Sequence, residues 1–182
     1  MKRRTFLTSA ASAFPLALTQ PFALAIDSSD SSAKEIHVVA AGKDRFGESH
    51  APGYGEILFK TSSEETSSLF AIEHSNLLPG GPPLHLHFEQ EEWFYVIDGE
   101  VLFQVGAQRV QLKAGESVLG PRRVPHAFTA VGPTPARMLI IFTPAGKMEQ
   151  FFRDTADIGP QQTAAVYGRY GMKRLGPPLK AT

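Results

Sequence analysis

Three histidines and one glutamate, gathered in two short blocks, constrain this chain more than any other feature. The first block, GPPLHLHFEQEEWFYVIDGE over 81–100, holds His85, His87 and Glu92; the second, GESVLGPRRVPHAF over 115–128, holds His126. Imidazole nitrogen and carboxylate oxygen form a donor set that suits a first-row divalent metal. On a strand, residues two apart share a face, so His85 and His87 project together while Leu84, Leu86 and Phe88 point the other way. A turn over 89–91 returns Glu92 to their side as the next strand, Trp93 to Ile97, begins. His126 must arrive from a later strand, which only a closed or sandwiched sheet can arrange.

The rest of the chain supplies such a sheet. Short β-type runs alternate with Gly and Pro turns: Ile36 to Ala40, Tyr54 to Thr61, Ser68 to Glu73, Leu84 to Phe88, Trp93 to Ile97, Val101 to Val105, Arg109 to Leu112, Ser117 to Leu119, Ala127 to Val131 and Arg137 to Phe142. Ile97-Asp98-Gly99-Glu100 carries a hairpin signal, since Asp-Gly favours turns that match strand twist, and Gly106-Ala107-Gln108 is a second. Residues 62–67 read as an exposed loop. Near the end the period changes, and Gly146 to Asp154 and Gln161 to Tyr170 read as helices. Met148, Phe151 and Phe152 give the first an apolar face to lay on the barrel. There is no internal repeat.

On these residues the chain resembles the cupin superfamily. Its first motif is HxH, four residues, Glu, six residues and Gly, and His85, His87, Glu92 and Gly99 fall on it. The second is Gly, five residues, Pro, then His five positions on, matched by Gly115, Pro121 and His126. Arg123 stands where the family usually has Gly and Ala130 where it often has Asn, so the turn before His126 is expected to differ in shape. The tail, PAGKMEQFFRD and YGRYGMKRLGPPL, is also similar to single-domain cupins, and the resemblance spans roughly residues 45 to 180. It implies an all-β fold, the double-stranded β-helix or antiparallel jelly-roll barrel, closed by short C-terminal helices. It also implies a metal held by His85, His87, Glu92 and His126, one of Mn, Fe, Ni, Cu or Zn. Glu89 and Glu91 do not fit the four-residue spacing, and His37, His50 and His74 have no partner spacing.

Parity extends the site. Phe94 and Val96 share the face of Glu92, and Phe128 that of His126, giving an apolar wall for a substrate pocket or plain barrel core. Pro82-Pro83 stiffens entry to the HxH strand. Trp93 reads as packing. Arg122 and Arg123 read either as a carboxylate anchor or as a solvated turn.

At the N-terminus, Lys2, the twin Arg3-Arg4, then Phe6 and Leu7 and a mildly apolar stretch read as a twin-arginine export signal over 1–25. Ala23-Leu24-Ala25 places cleavage before Ile26, and Pro15 and Pro21 argue against a membrane span. Residues 26–35 read as a polar linker and 36–182 as a single domain, with the barrel over about 54–145 and the helices over 146–170. Export of an already folded chain to the periplasm would let the site load before copper and zinc compete for it. Without the signal, 15 Lys and Arg face 18 Asp and Glu, a net −3 that suits neither nucleic acid nor an anionic membrane surface. With no Cys there is no disulfide, and stability must come from packing and a bound ion.

Three neutral imidazoles, one carboxylate and a divalent ion sum to +1, which attracts an anionic substrate oxygen. The resemblance to quercetin-dioxygenase-like cupins implies a small metal-dependent oxygenase acting on a phenolic, enol or diketone chelator, with Glu92 able to serve as base. A non-redox isomerase, lyase or hydrolase and a non-catalytic binding module are the alternatives, since one barrel hosts many chemistries. Open sheet edges invite a homodimer.

Overall fold

Strict two-residue alternation of burial builds the strands that matter most. Pro83, His85 and His87 are buried while Leu84 and Leu86 are not; Glu92, Phe94 and Val96 alternate likewise with Trp93 and Tyr95; Ala136, Met138, Ile140 and Phe142 follow suit. The computed structural model describes residues 36–66, 68–156, 158 and 162–181. The expected export signal at 1–25 and linker at 26–35 lie outside the described residues. The chain divides into two units, Met1–His37 and Val38–Thr182, and the second holds every element that follows.

Those elements are β1 (Glu56–Phe59), α1 (Ser63–Thr66), β2 (Phe70–Leu77), β3 (Pro83–His87), β4 (Glu91–Asp98), β5 (Glu100–Val105), β6 (Gln108–Lys113), β7 (Ser117–Gly120), β8 (His126–Ala130), β9 (Ala136–Thr143), α2 (Met148–Thr155), α3 (Ala164–Arg169) and β10 (Met172–Pro178). The strands form two five-stranded sheets, ordered β1-β2-β9-β4-β7 and β10-β3-β8-β5-β6, and every pairing is antiparallel. This is the expected jelly roll. Among the described residues no helix is long and apolar enough to cross a membrane.

Aromatic rings fill the space between the sheets. Phe94 lies 5.1 Å from Phe103 and 5.6 Å from Phe128, and Phe59, Phe70 and Phe142 continue the cluster. Cutting a buried Phe such as Phe103 to Ala costs about 3–5 kcal/mol. The apolar face of α2 packs as its sequence implies, with Met148 and Phe151 buried and Phe152 partly buried against the core. Thr163 caps α3 by accepting the Val166 N–H at 3.4 Å, and Tyr167 is buried beneath it.

Four details depart from expectation. Residues 36–40 form no strand. A one-turn helix, α1, occupies part of the 62–67 loop. Asp98-Gly99 is not a hairpin: β4 pairs with β7 and β9 while β5 pairs with β6 and β8, so Gly99 carries the chain from one sheet to the other. Glycine is needed at this corner because Gly99, at φ 78°, packs against Ala136, where a Cβ would come within 2.8 Å of backbone. The fourth is β10, whose Lys, Arg, Gly and Pro content hides it; pairing with β3 (Met172 opposite His87, Arg174 opposite His85) makes it a strand. The Gly106 turn does close a β5–β6 hairpin, with Val105 opposite Gln108.

Candidate metal centre

The two sheets bring the four donors to one point. β3 and β8 are neighbours with His85 directly opposite His126, and β4 supplies Glu92 from the other sheet. All four side chains are buried, and one donor atom from each lies within 4.8 Å of the others. Glu92 Oε2 is 2.9 Å from His126 Nε2 and 3.1 Å from His87 Nε2.

Each imidazole is pinned from behind through Nδ1. His85 lies 2.8 Å from the Pro83 carbonyl, His126 3.0 Å from the Val124 carbonyl and His87 3.2 Å from Gln90 Oε1. Oxygens of this kind only accept, so the network assigns the proton to Nδ1 in all three rings. In a neutral ring that leaves Nε2 as a bare lone pair turned to the cluster, the tautomer a metal needs. His87 Nε2 makes no hydrogen bond despite the nearby carboxylate, so that contact is one of proximity alone.

Charge tells the same story. Burial, then the neighbouring imidazoles, push His85 down to about 3, so it is neutral at pH 7. Burial alone would raise Glu92, but the hydrogen bond with His126 and the attraction of the His126 and His87 rings outweigh it and hold the carboxylate below its usual range. Burial would lower His126, yet Glu92 raises it above an ordinary histidine. A proton must therefore fill the gap between Glu92 and His126 unless a cation does. A divalent ion would replace that proton and satisfy the orphaned His87 nitrogen, so the residues present fit one.

The cluster opens on a cavity of about 30 Å³, which His85, His87 and Glu92 line together with Phe128. Such a space takes one or two waters, or the donor atoms of a small chelator. Met148, Phe151 and Phe152 of α2 and Tyr167 of α3 form part of its wall. Phe94 does not line the cavity; it is core, packed between Phe103, Phe128 and the edge of His126 at 6.0 Å. Trp93 stacks on Tyr95 at 5.9 Å, outside the wall.

Arg122 and Arg123 turn away. They pair with Glu91 at 3.1 Å and Glu89 at 3.2 Å, exposed contacts that contribute little. Arg123 nonetheless holds φ 64°, the left-handed conformation that Gly, its usual counterpart, adopts freely. Its backbone N–H donates to the His87 carbonyl at 2.7 Å and its Nε to the Phe88 carbonyl at 3.2 Å, fastening this turn to the end of β3.

Two lining groups escaped sequence reasoning, His74 and Tyr54. His74 shares the buried face of Phe70 and Ile72 on β2, which parity could have shown. Burial pushes it down to about 3, and its Nε2 has no hydrogen-bond partner among the described residues. Burial also raises the Tyr54 and Tyr167 hydroxyls well above the usual tyrosine range.

What the fold and site define is an antiparallel jelly roll with a buried His/His/Glu/His cluster between its sheets. Residues 74–142 match the family model Cupin_2, the cupin domain. The chain is 29% identical over 56 residues to an uncharacterized protein of Methanocaldococcus jannaschii, a stretch covering 31% of this chain and 45% of that relative. Among solved structures it is similar to an RmlC-like cupin from Shewanella frigidimarina, with TM-score 0.53, 22% identity, and coverage of 63% of this chain and 96% of that one. It is also similar to Pac13, a nucleoside dehydratase from Streptomyces, with TM-score 0.52, 10% identity, and coverage of 72% and 87%. At these identities the structures speak for the fold alone. The matched domain spans β2 to β9, and the four-residue cluster it contains suits a divalent metal.

Proposed function

We propose that this protein is a small metal-dependent oxygenase acting on a phenolic, enol or diketone substrate that chelates through oxygen. The observation that supports it is the buried cluster itself, open to a small, largely apolar cavity. His85, His87, Glu92 and His126 would hold the ion, which when bound would supply Lewis acidity and, if redox-active, oxygen chemistry. The protein's own residues orient and exclude. Phe128, Phe142 and Phe151 keep bulk water from the donors and favour a planar, apolar substrate body. Glu92 stays ionised beside His126 and His87, which makes it an anionic donor first and a weak base second. The cavity admits only a compact chelator unless α2 or α3 shifts.

A second reading, an isomerase or lyase using the ion as Lewis acid, draws on His74, Tyr54 and Tyr167, proton-handling groups in the same cavity. The twin-arginine sequence at Arg3-Arg4 supports export to the periplasm, and the four edge strands β1, β7, β10 and β6 support pairing into a homodimer. The test is oxygen uptake by Mn-, Fe-, Ni- and Cu-loaded protein with a panel of enols and diketones, beside Glu92→Ala. Uptake that the variant abolishes supports the oxygenase. Substrate turnover without oxygen loss hands the site to the second reading.

A further inference from the structure

Gln90 lies in the link between β3 and β4, buried, three residues after His87 and two before Glu92. Its Nε2 donates to the Ala145 carbonyl at 2.6 Å, and its Oε1 lies 3.2 Å from His87 Nδ1. The Ala145 oxygen can only accept, so the amide nitrogen must face it and the amide oxygen must face His87. That oxygen then accepts the Nδ1 proton and leaves His87 Nε2 bare. Pro83 and Val124 do the same for the other two histidines through backbone carbonyls, so Gln90 is the side chain in this role.

The other end of the amide reaches the start of α2. Ala145 precedes Gly146, whose φ is 53° and where a Cβ would come within 2.6 Å of Gln90 Nε2. This turn is built around the amide, and it launches α2, whose Met148 and Phe151 line the cavity. We propose that Gln90 is a positioning residue that fixes His87 in its ligand tautomer and ties it to α2, so that metal loading and seating of α2 over the cavity are coupled. The inference rests on the cluster being a metal site. Coupling of this kind is reciprocal: whatever loosens the turn weakens the ion, and the ion steadies the turn.

The test uses the full chain and cobalt(II) alone. Affinity is read by competition with a chelating dye, and α2 is followed by hydrogen exchange with and without cobalt. Gln90→Leu removes both hydrogen bonds; it should weaken cobalt binding about 10- to 100-fold and abolish the cobalt-dependent slowing of exchange in α2. Gln90→Glu keeps an acceptor for His87 but cannot donate to Ala145. It should bind cobalt more weakly than wild type but more tightly than Gln90→Leu, while α2 no longer responds. If Gln90 only stitched the α2 entrance, Leu and Glu would lose cobalt equally, and that result overturns the assignment. Equal affinity and an equal α2 response in all three proteins overturns it too. Should Gln90→Leu fail to fold, Gly146→Ala crowds the amide without touching His87, and undiminished cobalt affinity there counts against the tie. A wild-type chain that takes up no cobalt sinks the metal reading, and this inference with it.

Discussion

Exchanging the Glu92 carboxylate for its amide in Glu92→Gln should leave the metal-free protein nearly unchanged and take from the metal-loaded protein most of the stabilisation the ion gives. Without metal, the buried carboxylate needs a proton on His126, 2.9 Å away. Gln needs none, because its amide can donate to the bare Nε2 of a neutral His126. Breaking a buried charge pair costs about 3–5 kcal/mol when it strands a charge, but here His126 is free to become neutral. The metal-free variant should therefore stay within about 1 kcal/mol of wild type. With metal, the anionic donor is gone. Taking about 3 kcal/mol as its loss, affinity falls by about a hundredfold at 1.4 kcal/mol per decade. At free metal 100 times the dissociation constant, wild type gains about 2.7 kcal/mol and the variant about 0.4 kcal/mol. For a domain of this size, 2–4 °C per kcal/mol gives about 5–11 °C of metal-dependent stabilisation in wild type and about 1 °C in the variant. Thermal unfolding by circular dichroism, with and without zinc, reads all four states. A variant that loses several kcal/mol without metal yet keeps the full shift would refute this account of Glu92.

Further outcomes follow from the packing. Gly81→Ala places a Cβ 1.8 Å from the Phe128 carbonyl oxygen at φ 55°, so backbone must move just before β3; a loss above about 3 kcal/mol, with weakened metal binding, is expected in urea unfolding. Glu73 is bonded to Lys60 at 3.0 Å and Arg137 at 2.9 Å; burial would raise its pKa, but these partners hold it below the ordinary value. A depressed carboxylate stabilises above its unfolded pKa and stops doing so as pH falls through the folded one. Glu73→Gln should therefore lower the free energy of urea unfolding at pH 7 by about 1–3 kcal/mol, and the difference from wild type should shrink below about pH 4.

Much of this was legible in the chain because strand parity is a strict rule. His85 and His87 share a face, and Glu92 leads a run with Phe94 and Val96, all buried as the alternation requires. What parity cannot show is which strands become partners. Asp98-Gly99 has the chemistry of a hairpin and makes a corner instead, because β4 and β5 find their partners in different sheets, among strands further along the chain. β10 is hidden for the related reason that pairing with β3, not residue preference, holds it extended. Gln90 and His74 lacked any motif, and their roles emerge only from long-range contacts, with Ala145 for one and the shared cavity for the other. Arg122 and Arg123, open to two readings in sequence, have their answer in Glu91 and Glu89.

The most direct measurement is X-ray absorption at the metal edge, joined to elemental analysis, on the wild-type chain and on His126→Ala. The account predicts a single first-row divalent ion per wild-type chain, bound by nitrogen and oxygen at about 2.0–2.2 Å, and little or none in the variant. A wild-type chain that holds no cation after exposure to Mn, Fe, Ni, Cu and Zn, or a variant that holds one as firmly, would contradict it.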